Sequence, residues 1–258
     1  MAWLGARRAR GFTLTELAVV FTIISLLLGT ALYTLSAQTN QRNFEETRRR
    51  LEAARELLLA FALVNGRLPC PASATTGATA GLEAPAGGGT CTAPGPYGGW
   101  LPARTLGFQI LDSAGNAVDA WNNPIRYAVS AAALTGCTGT STVPHFTNAT
   151  NLRANGITCQ PNDLVVCQSA TGITATTCGT AVSLTNQNTL VALVFSIGKN
   201  GATGSGGIDE AANVNGDRVF VWHTPTPTGA ANGEFDDQMI WIAVGELYGK
   251  LIAAGVLP

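Results

Sequence analysis

Gly11-Phe12-Thr13-Leu14-Thr15-Glu16-Leu17 opens the stretch that decides the fold, and an apolar run continues from it to about Ala37. Glu16 is the single charge in that run, and from Leu17 to Gln41 Tyr33 is the only ionisable side chain. An uninterrupted segment of this kind is long enough to span a bilayer as a helix. Arg7, Arg8 and Arg10 precede it, which keeps the amino-terminal end in the cytoplasm and places the rest of the chain outside. A secretory signal cut near Ser36-Ala37 is the plain alternative. Glu16 argues against it, because a carboxylate within an apolar segment costs on the order of 2–3 kcal/mol at mid-membrane.

The helical pattern outlasts the apolar run. Phe44, Leu51, Ala54, Leu58 and Phe61 recur on one face of an amphipathic helix. Glu45–Arg49, Glu46–Arg50 and Arg48–Glu52 stand four apart on its solvated side. Asn65-Gly66 supplies a stop, and Pro69 prevents resumption. A helix from Phe12 to Val64 extends roughly 80 Å. Its lower half suits a membrane or a filament, and its upper half suits docking on a globular part.

Gly11, Phe12, Glu16 and the apolar run keep the spacing of the processing site of type IV prepilins and the related pseudopilins, which this segment closely resembles. The resemblance implies that a membrane peptidase cuts the Gly11–Phe12 bond and that the new amine on Phe12 is methylated. It leaves 1-11 as leader, 12-65 as the pilin helix and 66-258 as a globular periplasmic or extracellular domain. Glu16 becomes the fifth residue of the mature chain. Electrostatics supplies a reason for it there. Its charge suits a helix N-terminus and offsets the Phe12 amine of its own or a neighbouring chain. In a lipid-free bundle that pair is desolvated and favours one axial register. The apolar run lacks the proline that many pilins carry there; Gly29-Thr30 is its one weak point.

Beyond Gly66 the composition changes. Gly, Pro, Thr and Ala dominate residues 66-107, which reads as loop and not core. Ile125–Ser130, Leu164–Gln168, Leu190–Ile197, Arg218–His223 and Met239–Val244 are strand candidates, and Glu246–Ala254 a short closing helix. The expected class is α+β: a long N-terminal helix, membrane-spanning in its lower half, packed on a C-terminal antiparallel β-sheet domain with disulfide-bearing loops.

Two further stretches resemble the major pseudopilin of type II secretion systems. Asp119-Ala-Trp121-Asn-Asn123-Pro124-Ile-Arg-Tyr127 looks like its D-x-W-x-N-P-x-x-Y segment. Ser196-Ile-Gly198-Lys-Asn200-Gly201, with Gly206-Gly207 and then Asp209, looks like its glycine-rich, calcium-binding loop, with Asn200 in place of the usual Asp. From residue 201 onward seven acids face two bases, an excess of five negative charges. Calcium takes several oxygen ligands on an irregular loop; Asn200, Asp209, Asn213, Asn215, Asp217, Asp236 and Asp237 are the candidates. A solvated acidic loop is the bland reading of the same residues.

Six cysteines, at 70, 91, 137, 159, 167 and 178, all follow residue 65, and no two form a C-x-x-C pair. In an exported chain an even set reads as disulfides. Cys70–Cys91, Cys137–Cys159 and Cys167–Cys178 are the pairings expected here, each worth roughly 2–4 kcal/mol.

The net charge of -1 argues against nucleic acid as the main partner. No nucleophile elbow occurs. Gly201-x-x-Gly204-x-Gly206-Gly207 lacks the G-K-[ST] of a phosphate loop. The two histidines, His145 in a Pro/Thr-rich loop and His223 at a strand end, suit packing better than catalysis. Adjacency sets Asp236 and Asp237 on opposite faces if both lie on a strand.

A structural subunit is therefore expected. It is cleaved by a prepilin peptidase/methyltransferase, held in the bacterial inner membrane with its C-terminal domain periplasmic, then moved by an inner-membrane assembly platform into a pilus or pseudopilus beside other pilin or pseudopilin subunits. The contrasting reading is a membrane-anchored or secreted binding module for which the helix is only a tether.

Overall fold

The computed structural model describes residues 13–132, 144–201 and 206–257, without the side chains of 30–37. Gly11 and Phe12 lie outside the described residues. The chain divides into two compact units, Met1–Glu45 and Glu46–Pro258. The division falls within the long helix, so the upper part of that helix belongs with the globular part.

Helix α1 runs over Leu14–Asn65. In the first unit its large apolar side chains are bare: Leu14, Leu17, Val19, Val20, Phe21, Ile23, Ile24 and Leu26 to Leu28 are all exposed. Among the described residues no helix is long and apolar enough to cross a membrane. The apolar sequence continues through residues 30–37, whose side chains are not among those described. In the second unit α1 buries Leu51, Ala54, Leu58, Leu59 and Ala62. Phe61 is only half-buried, with the Arg67 guanidinium 5.2 Å above its ring, so Leu59 and Ala62 take the core positions expected of it. Arg50 and Arg48 pair with Glu46 and Glu52 at 3.0 and 3.1 Å, whereas Arg49 reaches Glu46 at 3.6 Å instead of Glu45. Gly66 ends the helix at φ +67°, its N–H on Ala62 O at 2.8 Å, a left-handed cap that favours glycine.

Four strands form an antiparallel sheet in the order β1 (Gly99–Trp100), β2 (Arg126–Val129), β4 (Leu190–Ser196), β6 (Gln238–Ala243). One face carries Tyr127, Val129, Ala192, Val194 and Ile242, which pack with the buried stripe of α1 and with α5 (Val244–Ala253). The other face carries Ala128, Leu193, Phe195 and Met239, covered by Leu164, Val166 and Phe220. These three come from β3 (Val165–Cys167) and β5 (Val219–Val221) and the residue before β3. β3 and β5 pair in parallel as a separate two-stranded sheet, an addition to the antiparallel sheet expected from the sequence. Both faces of the main sheet are thus covered, and all seven residues of β4 are buried. A fully buried strand reads as a continuous apolar run, which is what LVALVFS is.

Residues 66–118 have little regular structure beyond β1 and α2 (Ala103–Leu106), yet Leu68, Ala72, Ala80 and Leu101 are buried. The segment is loop, as its composition suggests, but it supplies core. The Cys70–Cys91 disulfide (S–S 2.09 Å) and a bidentate Arg67–Glu83 pair, 2.8 Å for each bond, hold it. Cys167–Cys178 closes the loop after β3 (S–S 2.04 Å). Cys159 is also disulfide-bonded; its expected partner Cys137 lies outside the described residues.

His145 packs edge-on to Phe146 at 4.8 Å, and its Nε2 lies 3.1 Å from the Tyr248 hydroxyl. That hydroxyl donates to Cys159 O, so the imidazole donates to it from Nε2. Nδ1 is buried with no partner. Burial lowers the pKa of His145 from 6.5 to about 4. Between those values the unfolded chain takes up a proton that the folded chain refuses. The His145 contribution is therefore whole above pH 6.5 and is lost as pH falls through the window, by up to about 3 kcal/mol. The carboxylates with raised pKa act with the opposite sign. Comparison with His145→Gln isolates the effect: urea midpoints of wild type and variant should diverge between pH 6.5 and 4.

Candidate functional site

Thr13 and Glu16 form a reciprocal cap at the start of α1. Thr13 N and Thr13 Oγ1 both donate to Glu16 Oε2 at 2.9 Å, and Glu16 N donates to Thr13 Oγ1 at 3.2 Å. Thr13-Leu-Thr-Glu16 is a capping box, with Glu16 at the third helical position. The electrostatic role of Glu16 was expected and this cap was not, although the T-x-x-E spacing carries it. The same carboxylate that suits the helix dipole thus also fixes where the helix begins.

The second candidate site lies in the globular unit, where the two glycine- and tryptophan-bearing stretches meet. Asp119 is buried; its Oδ1 accepts from Trp121 N and Asn123 N at 2.9 and 2.8 Å, and its Oδ2 from Ser196 Oγ at 2.5 Å. Burial nevertheless pushes the Asp119 carboxyl above its usual range. Asn122 at φ +69° turns the chain, and Asn123 Nδ2 donates to Gly198 O at 2.6 Å. On the other side Arg50 Nη1 donates to Val118 O and Asp119 O at 3.0 and 2.8 Å, and Thr47 Oγ1 accepts from Ala120 N at 3.1 Å. The 118–124 loop is therefore tied both to α1 and to the glycine-rich loop.

Beyond Gly198 lies a group of acids. Glu210, Asp236 and Asp237 are buried, and each offers a carboxylate oxygen within 4.8 Å of the others. Glu210 Oε1 accepts from Asp236 N at 2.8 Å and Asn200 Nδ2 at 3.2 Å. Lys199 N donates to Asp236 Oδ2 at 3.0 Å, and Asn213 Nδ2 to Asp237 Oδ2 at 2.7 Å. Asp236 Oδ1 and Asp237 Oδ1 are buried without a partner. Burial, reinforced by the neighbouring acids, raises Glu210 to about 7 and raises Asp236 and Asp237 as well. Three acids with two unanswered buried oxygens form a set that attracts a cation.

The seven residues set out from the sequence do not converge. Asp236 and Asp237 take part, and both lie in the loop before β6, so strand alternation does not part them. Asn200 stands at the edge, on Glu210. Asn213 orients Asp237, but its Oδ1 accepts from Val221 N at 2.7 Å and is committed there. Asp209 faces away: it accepts from Ala170 N at 2.5 Å and Asn232 Nδ2 at 3.0 Å, and meets His223 Nε2 at 3.1 Å. That histidine stacks on Phe235 at 4.0 Å, a packing role. Asn215 and Asp217 bond to each other at 2.9 Å in an exposed turn. Glu210 is the acid that sequence reasoning missed. Its signal was spacing: Glu210 and Asn213 lie three apart on helix α4 (Ile208–Val214) and share a face, while Asp209 points elsewhere.

With this geometry in view, comparison with known proteins adds one finding. Residues 6–32 match the prokaryotic N-terminal methylation motif. The match supports a type IV pilin-like or pseudopilin family for this chain and indicates processing by a prepilin peptidase. No curated protein and no solved structure matches the chain.

Proposed function

We propose that this chain is a structural subunit of a type IV pilus-like or type II secretion pseudopilus filament. The leader is cut after Gly11, Phe12 becomes the methylated terminus, and the apolar helix waits in the inner membrane until an assembly platform draws it into the filament core. The bare apolar side chains of Leu14 to Leu28 carry this reading, together with the methylation motif that frames them. An exposed apolar surface of that extent needs lipid or neighbouring helices to cover it. The Glu16 carboxylate meets the Phe12 amine of an adjacent copy and sets the register. The role is structural and not catalytic, in keeping with the family the motif supports. The globular unit lies outside the core. The reading predicts that filaments sheared from cells carrying the cognate machinery contain the chain, and that filaments from peptidase-deficient cells do not. Its recovery only in the soluble periplasmic fraction contradicts the reading and favours a secreted binding module.

A further inference from the structure

Two acids of the globular unit, Glu210 and Asp237, line a small cavity of about 120 Å³. Asn200, Glu210 and Asp237 supply its polar side; Ile197, Ala211 and Val214 supply a hydrocarbon side. That volume is well below the roughly 300 Å³ at which drug-sized ligands begin. Any occupant is short. It must also present a hydrogen-bond donor at one end, because Asp237 Oδ1 is buried and unpartnered in a residue only 3 % exposed, and a cationic donor makes the stronger bond to a carboxylate. Among the described residues no ion pair involves Glu210, Asp236 or Asp237. Arg126 feels the charge of Asp237, yet it directs Nη1 to Gly98 O at 3.1 Å and lies over the Trp100 ring at 4.9 Å.

The hydrocarbon wall distinguishes among cations. A bare metal ion takes six to eight oxygen ligands around it, and the side chains of Ile197, Ala211 and Val214 offer none. An ammonium group on an alkyl stem matches both sides, with three N–H donors for the carboxylates and methylenes for the apolar wall. Beside the cavity Ile208 and Val214 are 55 % and 42 % exposed, apolar surface that a partner chain would cover. We infer that this cavity receives the side chain of a lysine from a partner chain, its ammonium on Glu210 and Asp237 and its stem along Ile197, Ala211 and Val214. The inference concerns the globular unit alone and stands or falls apart from filament assembly by the N-terminal helix.

Thermal unfolding of the full chain in detergent micelles tests it, with n-butylammonium chloride, Nα-acetyl-lysine methylamide, putrescine, n-butanol and calcium chloride as separate additions against sodium chloride of equal ionic strength. Saturable stabilisation by n-butylammonium and by the lysine derivative, but not by n-butanol, is the expected result. Asp237→Asn should weaken both about tenfold, and Val214→Ser, at an exposed position that leaves folding intact, about threefold. Stabilisation by calcium alone identifies a metal site and overturns the inference. So does stabilisation by putrescine without the lysine derivative, which points to a free amine, or equal effects of n-butylammonium and sodium.

Discussion

Glu16→Ala should leave cleavage at Gly11 intact and reduce incorporation into filaments at least tenfold. Two losses combine. The capping box disappears, because both Thr13 donors reach Glu16 Oε2; removing such a cap costs about 1 kcal/mol. The larger loss arises in the assembled state, where the Phe12 amine of an adjacent copy would sit in an apolar bundle with no counter-charge. Breaking one partner of a desolvated pair costs several kcal/mol, and tenfold corresponds to only about 1.4 kcal/mol. Glu16→Gln separates the two, since its amide oxygen can still cap the helix but carries no charge. Quantitative blotting of membrane and sheared fractions reads both variants. Unchanged incorporation of Glu16→Ala would show that the carboxylate sets no register.

Gly198→Ala should destabilise the globular unit by about 3–5 kcal/mol, read as a fall in the urea midpoint at constant slope. Gly198 sits at φ +64°, a conformation that L side chains rarely adopt. An added Cβ would stand 1.7 Å from Asp236 Oδ1 and 2.9 Å from Asp236 O. Asp236 cannot yield freely, because Lys199 N and Glu210 already hold it. The displacement would pass to Asn123, bonded to Gly198 O, and so to the loop held by Arg50 and Thr47 of α1. Gly216→Ala is the control: it too has positive φ, +84°, but nothing within 4 Å of the added atom. It should cost about 1 kcal/mol. Equal losses at the two positions would mean that backbone conformation alone, and not the crowding against Asp236, makes Gly198 a glycine.

Elements whose cause is local were legible. The long helix follows from a pattern sustained along its 52 residues, and its end from Asn65-Gly66. All five longer strand candidates carry strands, because β-branched and aromatic runs bounded by turn residues have few other ways to bury themselves. What was hidden depends on distance along the chain. The parallel pairing of β3 with β5 joins Val165 to Val219 across a whole strand, a helix and a disulfide loop. The two family-like stretches were each recognisable, but the bond from Asn123 to Gly198 that makes them one structure spans 75 residues. The acid set was half legible: charge excess located it, and helix phase, which turns Glu210 towards Asp236 and the buried Asp209 towards Ala170 and Asn232, decided its members.

The amino terminus of the mature protein tests the central claim most directly. Intact-mass and N-terminal peptide analysis of the chain isolated from membranes of a host with an active prepilin peptidase should give a polypeptide beginning at N-methyl-Phe12, without the leader that ends at Gly11. A mature chain beginning at Met1, or near Gln38 after an ordinary signal cleavage, would contradict the account.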